Sequence, residues 1–427
     1  MDRSLALPRA LVVNFNAPEL NRLAAALAAR DQLVRFVRPY VNKQRRWERA
    51  LAAVPVGGRL YASSFGRRKV PDPALAPLTR EAGIASDMLA AVAVRSTFLP
   101  DSLRHRLTNG LIMQVREAVA QAAAREVCDA DCVIAYEGFG LPSFRALRAT
   151  GRGLAVLNYP VAHHRSRRAE RLAELENEPD FASTYPGFDD WAPGHEERLD
   201  EEIELADAIL LGSTYAAESF AAQGVPRERL RVIPYGVDLE TFRPAATPRT
   251  PEPGRLRAIF VGQLTQRKGL SYLLRAWQSF RRPGTDLTLV GMPIGDPAAL
   301  APWAGQFTHI PHRTRPELAQ LYQRSDVFVF PTLVEGMPLV VLEAMACGLP
   351  VIVTPNGPSD VVRDGIDGFI VPPRHPAAIA QRLEQLHRDP ELRLAMGRQA
   401  AARAAEFSWN TYAGRVIDSL AAAHRAA

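Results

Sequence analysis

The sequence predicts an α/β protein made of two doubly wound parallel-sheet domains. Three observations lead there. The chain has 427 residues, which suits two large domains. Short continuous apolar runs alternate with amphipathic helical patterns, as in parallel sheets covered on both faces. A proline-dense stretch then interrupts the alternation, which restarts beyond it.

The first series of runs is Ala10–Phe15, Leu33–Val37, Cys132–Ala135, Leu154–Leu157, Ala208–Leu211 and Leu230–Ile233. Helical patterns such as Leu20–Ala29 and Ile112–Ala124 lie between them. Pro244, Pro248, Pro251, Pro253 and Gly254 mark the break; proline at that density makes a stiff linker. The second series is Ala258–Val261, Leu287–Val290, Val327–Phe330, Val351–Val353 and Phe369–Val371. The expected division is a domain at 1–240, a linker at 241–254, a second domain at 255–405 and a tail at 406–427. The tail has helical periodicity (Tyr412, Val416, Leu420) and is expected to pack back on the first domain.

Composition narrows the class. A hydrophobic fraction of 47% and a charged fraction of 23% exclude a wholly disordered or collagen-like chain. Three cysteines are too few for a disulfide framework and fit a reducing compartment. Cys128 and Cys132 lack the further ligands of a zinc site and read as small buried apolar side chains. The amino-terminal segment has no signal-peptide pattern, and no apolar run is long enough to span a bilayer. The expectation is a cytoplasmic protein, or one peripheral on the inner face of the plasma membrane.

Ligands of open parallel sheets bind beyond the carboxyl ends of strands, so loops that follow strands carry the chemistry. The loop after Ala258–Val261 runs from Gly262 to Arg267, Lys268 and Gly269, ahead of a helix with apolar Leu270, Leu273, Leu274 and Trp277. Two cations at the positive end of a helix are in conflict, and a bound phosphate removes the conflict. The loop after Val327–Phe330 holds Glu335, Gly336, Met337 and Pro338, followed by a helix with Glu343 and a stop at Gly348. Two carboxylates eight residues apart can each accept hydrogen bonds from a sugar diol. Asn356 to Asp360 forms a third strand-to-helix turn on the same edge, with Ser359 and Asp360 as candidate caps. Asp129 and Asp131 have a metal-binding spacing, but they precede a strand and read as surface.

Gly-x(5)-Lys-Gly, then Glu-x(7)-Glu in EGMPLVVLEAMACGLPVI, then DGIDGFIVPP, together resemble the nucleotide-sugar lobe of family-four glycosyltransferases, group 1 type. Residues 206–244 resemble the end of that family's first domain. The resemblance implies the GT-B fold, two facing Rossmann-like domains with the active site in the cleft, and implies roles for residues. Lys268 matches the lysine that binds the donor diphosphate. The family's arginine a few residues earlier is replaced by Gln263, so Arg267 is expected to supply the second cation. Glu335 matches the glutamate near the donor sugar, and Glu343 the one that binds ribose hydroxyls. Gly262 and the loop amides of Gly336, Met337 and Leu339 complete the donor contacts, while Pro338 lacks an N–H. His163, in the run Asn158–His164, is the candidate histidine facing the donor sugar. His164 is its alternative, and a structural histidine the plainer reading. The segment Asn14 to Glu19 lacks the glycines that many members carry after the first strand.

The implied reaction is transfer of a glycosyl group from a nucleoside diphosphate sugar to an acceptor hydroxyl, with retention, in cell-surface polysaccharide or glycolipid synthesis. Lys268, Glu335 and His163 are the expected catalytic residues. No cofactor and no metal are expected. The alternatives are an epimerase on the same architecture, or a sugar-nucleotide sensor without catalysis.

The net charge of +6 is uneven. Residues 1–116 hold 19 Lys and Arg against 8 Asp and Glu, whereas residues 170–207 hold 14 acids against Arg171 and Arg198. A basic lobe suits an anionic partner. Nucleic acid is not expected, since interleaved aromatics are lacking. A lipid-linked acceptor at an anionic membrane is, with contact through Lys43, Arg45, Arg46, Trp47, Arg49, Arg67, Arg68 and Lys69, in residues of about 40–70.

Overall fold

The structure, a computed structural model, describes residues 8–426 except 54–60, 62–64, 66–67, 71, 97, 99, 186, 188–193 and 248–251. Arg67, Pro248 and Pro251 therefore lie outside the described residues.

Two parallel sheets form the framework. The first contains β1 (Ala10–Val13), β2 (Leu33–Arg38), β3 (Thr79–Glu81), β4 (Cys132–Tyr136), β5 (Leu154–Tyr159), β6 (Ala208–Leu211) and β7 (Leu230–Val232), in the order β3-β2-β1-β4-β5-β6-β7. The second contains β8 (Leu256–Val261), β9 (Thr285–Val290), β10 (Thr308–Ile310), β11 (Val327–Phe330), β12 (Val351–Val353) and β13 (Gly368–Ile370), in the order β10-β9-β8-β11-β12-β13. Every apolar run read from the sequence is a strand. β1, β4, β5 and β11 are buried along their whole or nearly whole length, as strands covered on both faces must be.

Two strands escape the sequence reading. β3 reads Thr-Arg-Glu and β10 reads Thr-His-Ile. Both are three-residue edge strands, where one side meets solvent and apolar content is not required.

By contacts the chain divides into two compact units. One comprises residues 1–158, 193–210 and 413–427; the other comprises 159–192 and 211–412. The gap between the sheets falls at the proline-rich stretch, but the contact division does not follow the sheets. The segment 159–192 leaves β5 and groups with the second sheet.

The second unit holds that segment by buried polar contacts. Glu174, on the helix His164–Asn177, is almost fully buried. It accepts hydrogen bonds from Gln266 Nε2 at 2.6 Å, Tyr272 OH at 2.8 Å and Arg374 Nε at 2.8 Å. Arg275 pairs with Glu178 through both carboxylate oxygens, at 2.5 and 2.7 Å. The Thr184 hydroxyl accepts from the Gln266 N–H at 3.0 Å, and the Thr265 hydroxyl donates to the Thr184 carbonyl. Phe242, at the start of the proline-rich stretch, is fully buried against Tyr322 of this unit.

In the first unit Glu202 has an analogous part. It is buried and accepts from the N–H groups of Gly138 (2.6 Å), Gly140 (2.5 Å) and Leu141 (3.1 Å). These amides open the helix Leu141–Ala149, whose positive end favours the carboxylate. Burial nevertheless raises the Glu202 carboxyl to about 7. Cys132 is buried in β4 while Cys128 is exposed ahead of it.

Candidate functional site

Strand order in the second sheet reverses between β8 and β11, which are hydrogen-bonded neighbours. At such a switch point the loops leaving two adjacent strands diverge and open a crevice. Those loops carry the residues singled out in the sequence.

After β8, Gly262 sits at φ 152° with its N–H bonded to the Val290 carbonyl at 2.9 Å. That amide is committed to the sheet. Thr265 then caps a tight turn, Gln266–Lys268, by accepting from the Arg267 N–H. Gly269 follows at φ 71°, and the helix Leu270–Phe280 begins beyond it. Arg267 and Lys268 thus precede the helix and do not lie within its first turn. Leu270, Leu273, Leu274 and Trp277 are buried, as the helical spacing predicts.

The expected conflict between two cations and a helix start is met by a carboxylate. Glu335, from the loop after β11, contacts Lys268 Nζ and lies 2.8 Å from an Arg267 guanidinium nitrogen. The same nitrogen donates to the Val334 carbonyl at 3.0 Å, and Leu333 N–H bonds the Arg267 carbonyl at 2.9 Å. Lys268 is 8% exposed and its ammonium lies 5.0 Å from the Phe330 ring centre. Burial, with Arg267 beside it, pushes Lys268 well below the usual lysine range; the Glu335 contact acts in the opposite direction.

Gly336 is required by packing. A Cβ there would overlap the Pro160 carbonyl oxygen, so this loop lies directly on the backbone that leads to His163. Gly357 presses on the Glu335 Cβ in the same way, and Asn356 donates to the Leu333 carbonyl at 2.6 Å. The third turn therefore braces the second. Asp360 does not cap its own turn. Its carboxylate accepts from the Thr214 N–H at 2.7 Å and the Thr214 hydroxyl at 2.5 Å, at the start of the helix Thr214–Ala221.

Pro338 stands just outside the helix Leu339–Ala346, and Gly348, at φ 85°, lies just past its end. Leu339 is half-buried at the first helical position, while Met337 is buried against Gly212. Glu343 is 7% exposed, and burial raises its carboxyl to about 7 against the pull of Arg315, whose guanidinium is 3.5 Å away. Asp238 adds to the rise. Arg315 lies far from both sequence motifs and is the partner that sequence reading missed. Only its position at the start of the helix Arg315–Arg324, the wrong end for a cation, could have drawn attention to it.

His163 is buried and caps the helix His164–Asn177, its Nδ1 accepting from the Arg165 N–H at 3.2 Å. Its ring stacks on His164 at 4.2 Å and meets Phe220 edge-on at 4.9 Å. Its own N–H donates to Ser219 Oγ at 2.9 Å. His164 Nδ1 lies 3.3 Å from the Tyr159 hydroxyl.

The structure brings Arg267, Lys268, Glu335 and Gly336 together at the switch point, with Glu343 on the helix that follows. Two cations in close contact with one carboxylate, flanked by a glycine loop and a helix start, can exchange that anion for another.

Residues 255–389 match the family model of group 1 glycosyl transferases. A D-inositol 3-phosphate glycosyltransferase of Pseudarthrobacter chlorophenolicus is 36% identical over 228 residues, 49% of this chain and 54% of that protein. One from an Arthrobacter species is 35% identical over 252 residues, 54% and 60% of the two chains. The chain thus spans little more than half the length of these curated relatives. Among solved structures, Anabaena HepE in complex with UDP and glucose superposes with a TM-score of 0.62 at 15% identity, covering 97% of this chain and 99% of that one. Sucrose-phosphate synthase from Thermosynechococcus elongatus gives 0.62 at 19%, with 97% and 99% covered. These likenesses show the fold, two Rossmann-like parallel-sheet domains of the GT-B class. The group 1 match falls in the lobe that carries Lys268, Glu335 and Glu343, and it is this lobe that is similar to the group 1 glycosyl transferases.

Proposed function

We propose that this protein transfers a glycosyl group from a nucleoside diphosphate sugar to an acceptor hydroxyl. The observation that carries the reading is the buried contact of Arg267 and Lys268 with Glu335 at the strand switch point. A donor diphosphate is a stronger anion than one carboxylate and takes over the two cations. Glu335 is then released toward the donor sugar. As the anomeric C–O bond breaks, charge grows on the departing diphosphate. Arg267, Lys268 and the amides of the Gly336–Leu339 loop stabilise it, in a site already dry enough to strengthen each interaction. Glu343 holds the ribose diol through its carboxylate. His163 faces the sugar from the run beside Gly336, and its service as a helix cap fixes its ring for that purpose.

Retention of configuration and a role in cell-surface polysaccharide or glycolipid synthesis belong to the same proposal. UDP and UDP-glucose in the structural neighbours support a nucleotide-sugar donor. The names of the relatives make a phosphorylated inositol the first acceptor to try. Incubating the protein with a panel of nucleotide sugars and this acceptor, read by mass spectrometry, tests the reading. A glycosylated product or acceptor-free nucleotide release supports it. Interconversion of the sugar alone would make the protein an epimerase, and binding without turnover a sensor.

The cations and amides carry the diphosphate charge, so activity is expected to survive EDTA within about twofold. Complete loss restored by magnesium or manganese overturns that part of the mechanism.

A further inference from the structure

The helix Thr214–Ala221 receives more acceptors at its start than helix formation needs. Ser213 already caps it. The Ser213 hydroxyl accepts from the Ala216 N–H at 3.2 Å, and the Ser213 carbonyl accepts from the Ala217 N–H at 3.1 Å. That alone makes an ordinary helix start. A second acceptor arrives from 146 residues further along the chain. Asp360 takes the Thr214 N–H at 2.7 Å through one carboxylate oxygen and the Thr214 hydroxyl at 2.5 Å through the other. A carboxylate suits the positive end of a helix. The bond to the hydroxyl, however, adds nothing to the helix itself. It fixes where the helix start stands relative to Asp360.

Asp360 is itself held in place. Arg403, on the helix Pro390–Ala404, donates to the carbonyls of Asp360 and Val361, each at 3.3 Å. The tight turn Pro358–Asp360 follows Gly357, where a Cβ would meet the Glu335 Cβ at 2.8 Å. One end of the tie therefore rests against Glu335. The other end reaches His163. Ser219, one turn along the helix from Tyr215, gives its only proton to the Ala216 carbonyl at 2.6 Å. Its oxygen is left to accept from the His163 N–H, at 2.9 Å. The neighbouring Phe220 meets the His163 ring edge-on at 4.9 Å. Between the two ends, the Tyr215 hydroxyl donates to the Leu333 carbonyl at 3.3 Å, the same carbonyl that Asn356 bonds. All of these residues belong to the second unit.

We propose that Asp360 is a positioning residue, which sets the place of His163 relative to Glu335 by tying the helix Thr214–Ala221 to the turn behind Glu335. Its effect falls on turnover and not on donor affinity. Among the described residues, the side chains of Arg267, Lys268 and Glu343 make no hydrogen bond to this helix; their partners are Glu335, the Val334 carbonyl and Arg315. This role rests on the proposed transfer reaction, with His163 facing the donor sugar.

Three variants of the full chain test it. Asp360→Ala removes both bonds. Thr214→Val removes only the hydroxyl bond and keeps the N–H bond, which preserves the test where the alanine variant folds poorly. Asp360→Asn keeps a carbonyl acceptor for the Thr214 N–H, and its amide can donate to the Thr214 hydroxyl. Asp360→Ala is expected to lower kcat about tenfold with the donor KM within about twofold, and Asp360→Asn to restore most of the turnover. A second readout needs no activity. In protein labelled at histidine, the His163 ring signals, assigned by their loss in His163→Gln, are expected to move in Asp360→Ala and Thr214→Val and to return in Asp360→Asn. A lowered thermal transition with kcat and the His163 signals both at wild-type values overturns the proposal, leaving Asp360 as a stabilising contact only. A raised donor KM at wild-type kcat overturns it as well. Where the wild type transfers no sugar with any donor of the nucleotide-sugar panel, the transfer reaction fails on its own account. The ring signals then decide alone, and signals unmoved in both Asp360→Ala and Thr214→Val overturn the tie.

Discussion

Lys268 and Glu335 are each nearly closed off from solvent, so neither can lose its partner cheaply. Lys268→Met removes the ammonium and leaves Glu335 to Arg267 alone. The expected cost is roughly 1.5–3 kcal/mol of stability, the loss of one charge-assisted contact while Arg267 still answers the carboxylate. Adding Glu335→Gln takes the carboxylate from Arg267 as well, so the double variant is expected to recover little of that loss but to lose less than the two singles summed, while donor binding stays as weak as in the Lys268 variant. Urea unfolding of the two singles and the double measures the coupling. Additive losses would mean that the contact is not the unit described here.

Glu343 makes a second prediction at this scale. Burial raises its carboxyl from 4.5 to about 7, so the folded protein holds the proton more tightly than the unfolded chain. Stability from this group is therefore present at low pH and is lost as pH rises from about 4.5 through 7. The limit is roughly 3 kcal/mol for a shift of this size. Glu343→Gln removes that slope, and the stability difference between variant and wild type is expected to grow between pH 5 and 8. Donor affinity moves the other way: the ionised carboxylate accepts from both ribose hydroxyls, so wild-type binding tightens as pH rises through 7. A wild-type donor affinity flat across that range removes Glu343 from the ribose.

At the scale of elements, the turn between β8 and its helix depends on Gly269. Its φ of 71° suits glycine, and a Cβ there would overlap the Pro331 carbonyl oxygen. Gly269→Ala removes no charge, yet it is expected to cost roughly 1–3 kcal/mol and to raise the donor Michaelis constant by displacing Lys268. Wild-type kinetics with lowered stability would show that the turn and the cations are independent. The same scale explains what was legible in advance. β11 and its following loop announced themselves because a fully buried strand must be apolar and its ligand loop must be polar or glycine-rich. β3 and β10 could not, because an edge strand is held by backbone pairing that any sequence provides. Gly336 was legible as a loop residue, but its reason was not: the Pro160 carbonyl that excludes a side chain is far away in sequence. The resemblance alone implied that His163 faces a sugar, beside the plainer reading of a structural histidine. Its capping of the Arg165 N–H follows from backbone geometry that no spacing reveals.

For the whole molecule, the segment 159–192 decides how the second unit is built. It leaves β5 of the first sheet, yet Glu174 lies within 2.8 Å of donors on Gln266, Tyr272 and Arg374. Gln266 is the residue before Arg267. The turn Gln266–Lys268 is therefore anchored by a carboxylate 92 residues earlier in the chain, which no reading of local motifs could have joined to it. Glu174→Ala leaves the buried Gln266 and Tyr272 donors and the part-exposed Arg374 without this acceptor and is expected to destabilise the protein by roughly 2–4 kcal/mol. Because Gln266 also holds Ser271 through both of its amide atoms, the loss spreads into the first turn of the following helix. Glu174→Gln keeps one carbonyl acceptor and is expected to recover part of the stability. It does not restore the ion pair to Arg374, which loses one carboxylate and keeps Glu170. Thermal unfolding and donor titration on both variants measure the two effects together. If donor affinity holds at the wild-type value in folded Glu174→Ala, the network stabilises the unit without positioning Arg267 and Lys268. If affinity falls with stability and returns in Glu174→Gln, the amino-terminal half of the chain sets the geometry of a site whose charged residues all lie in the carboxyl-terminal half.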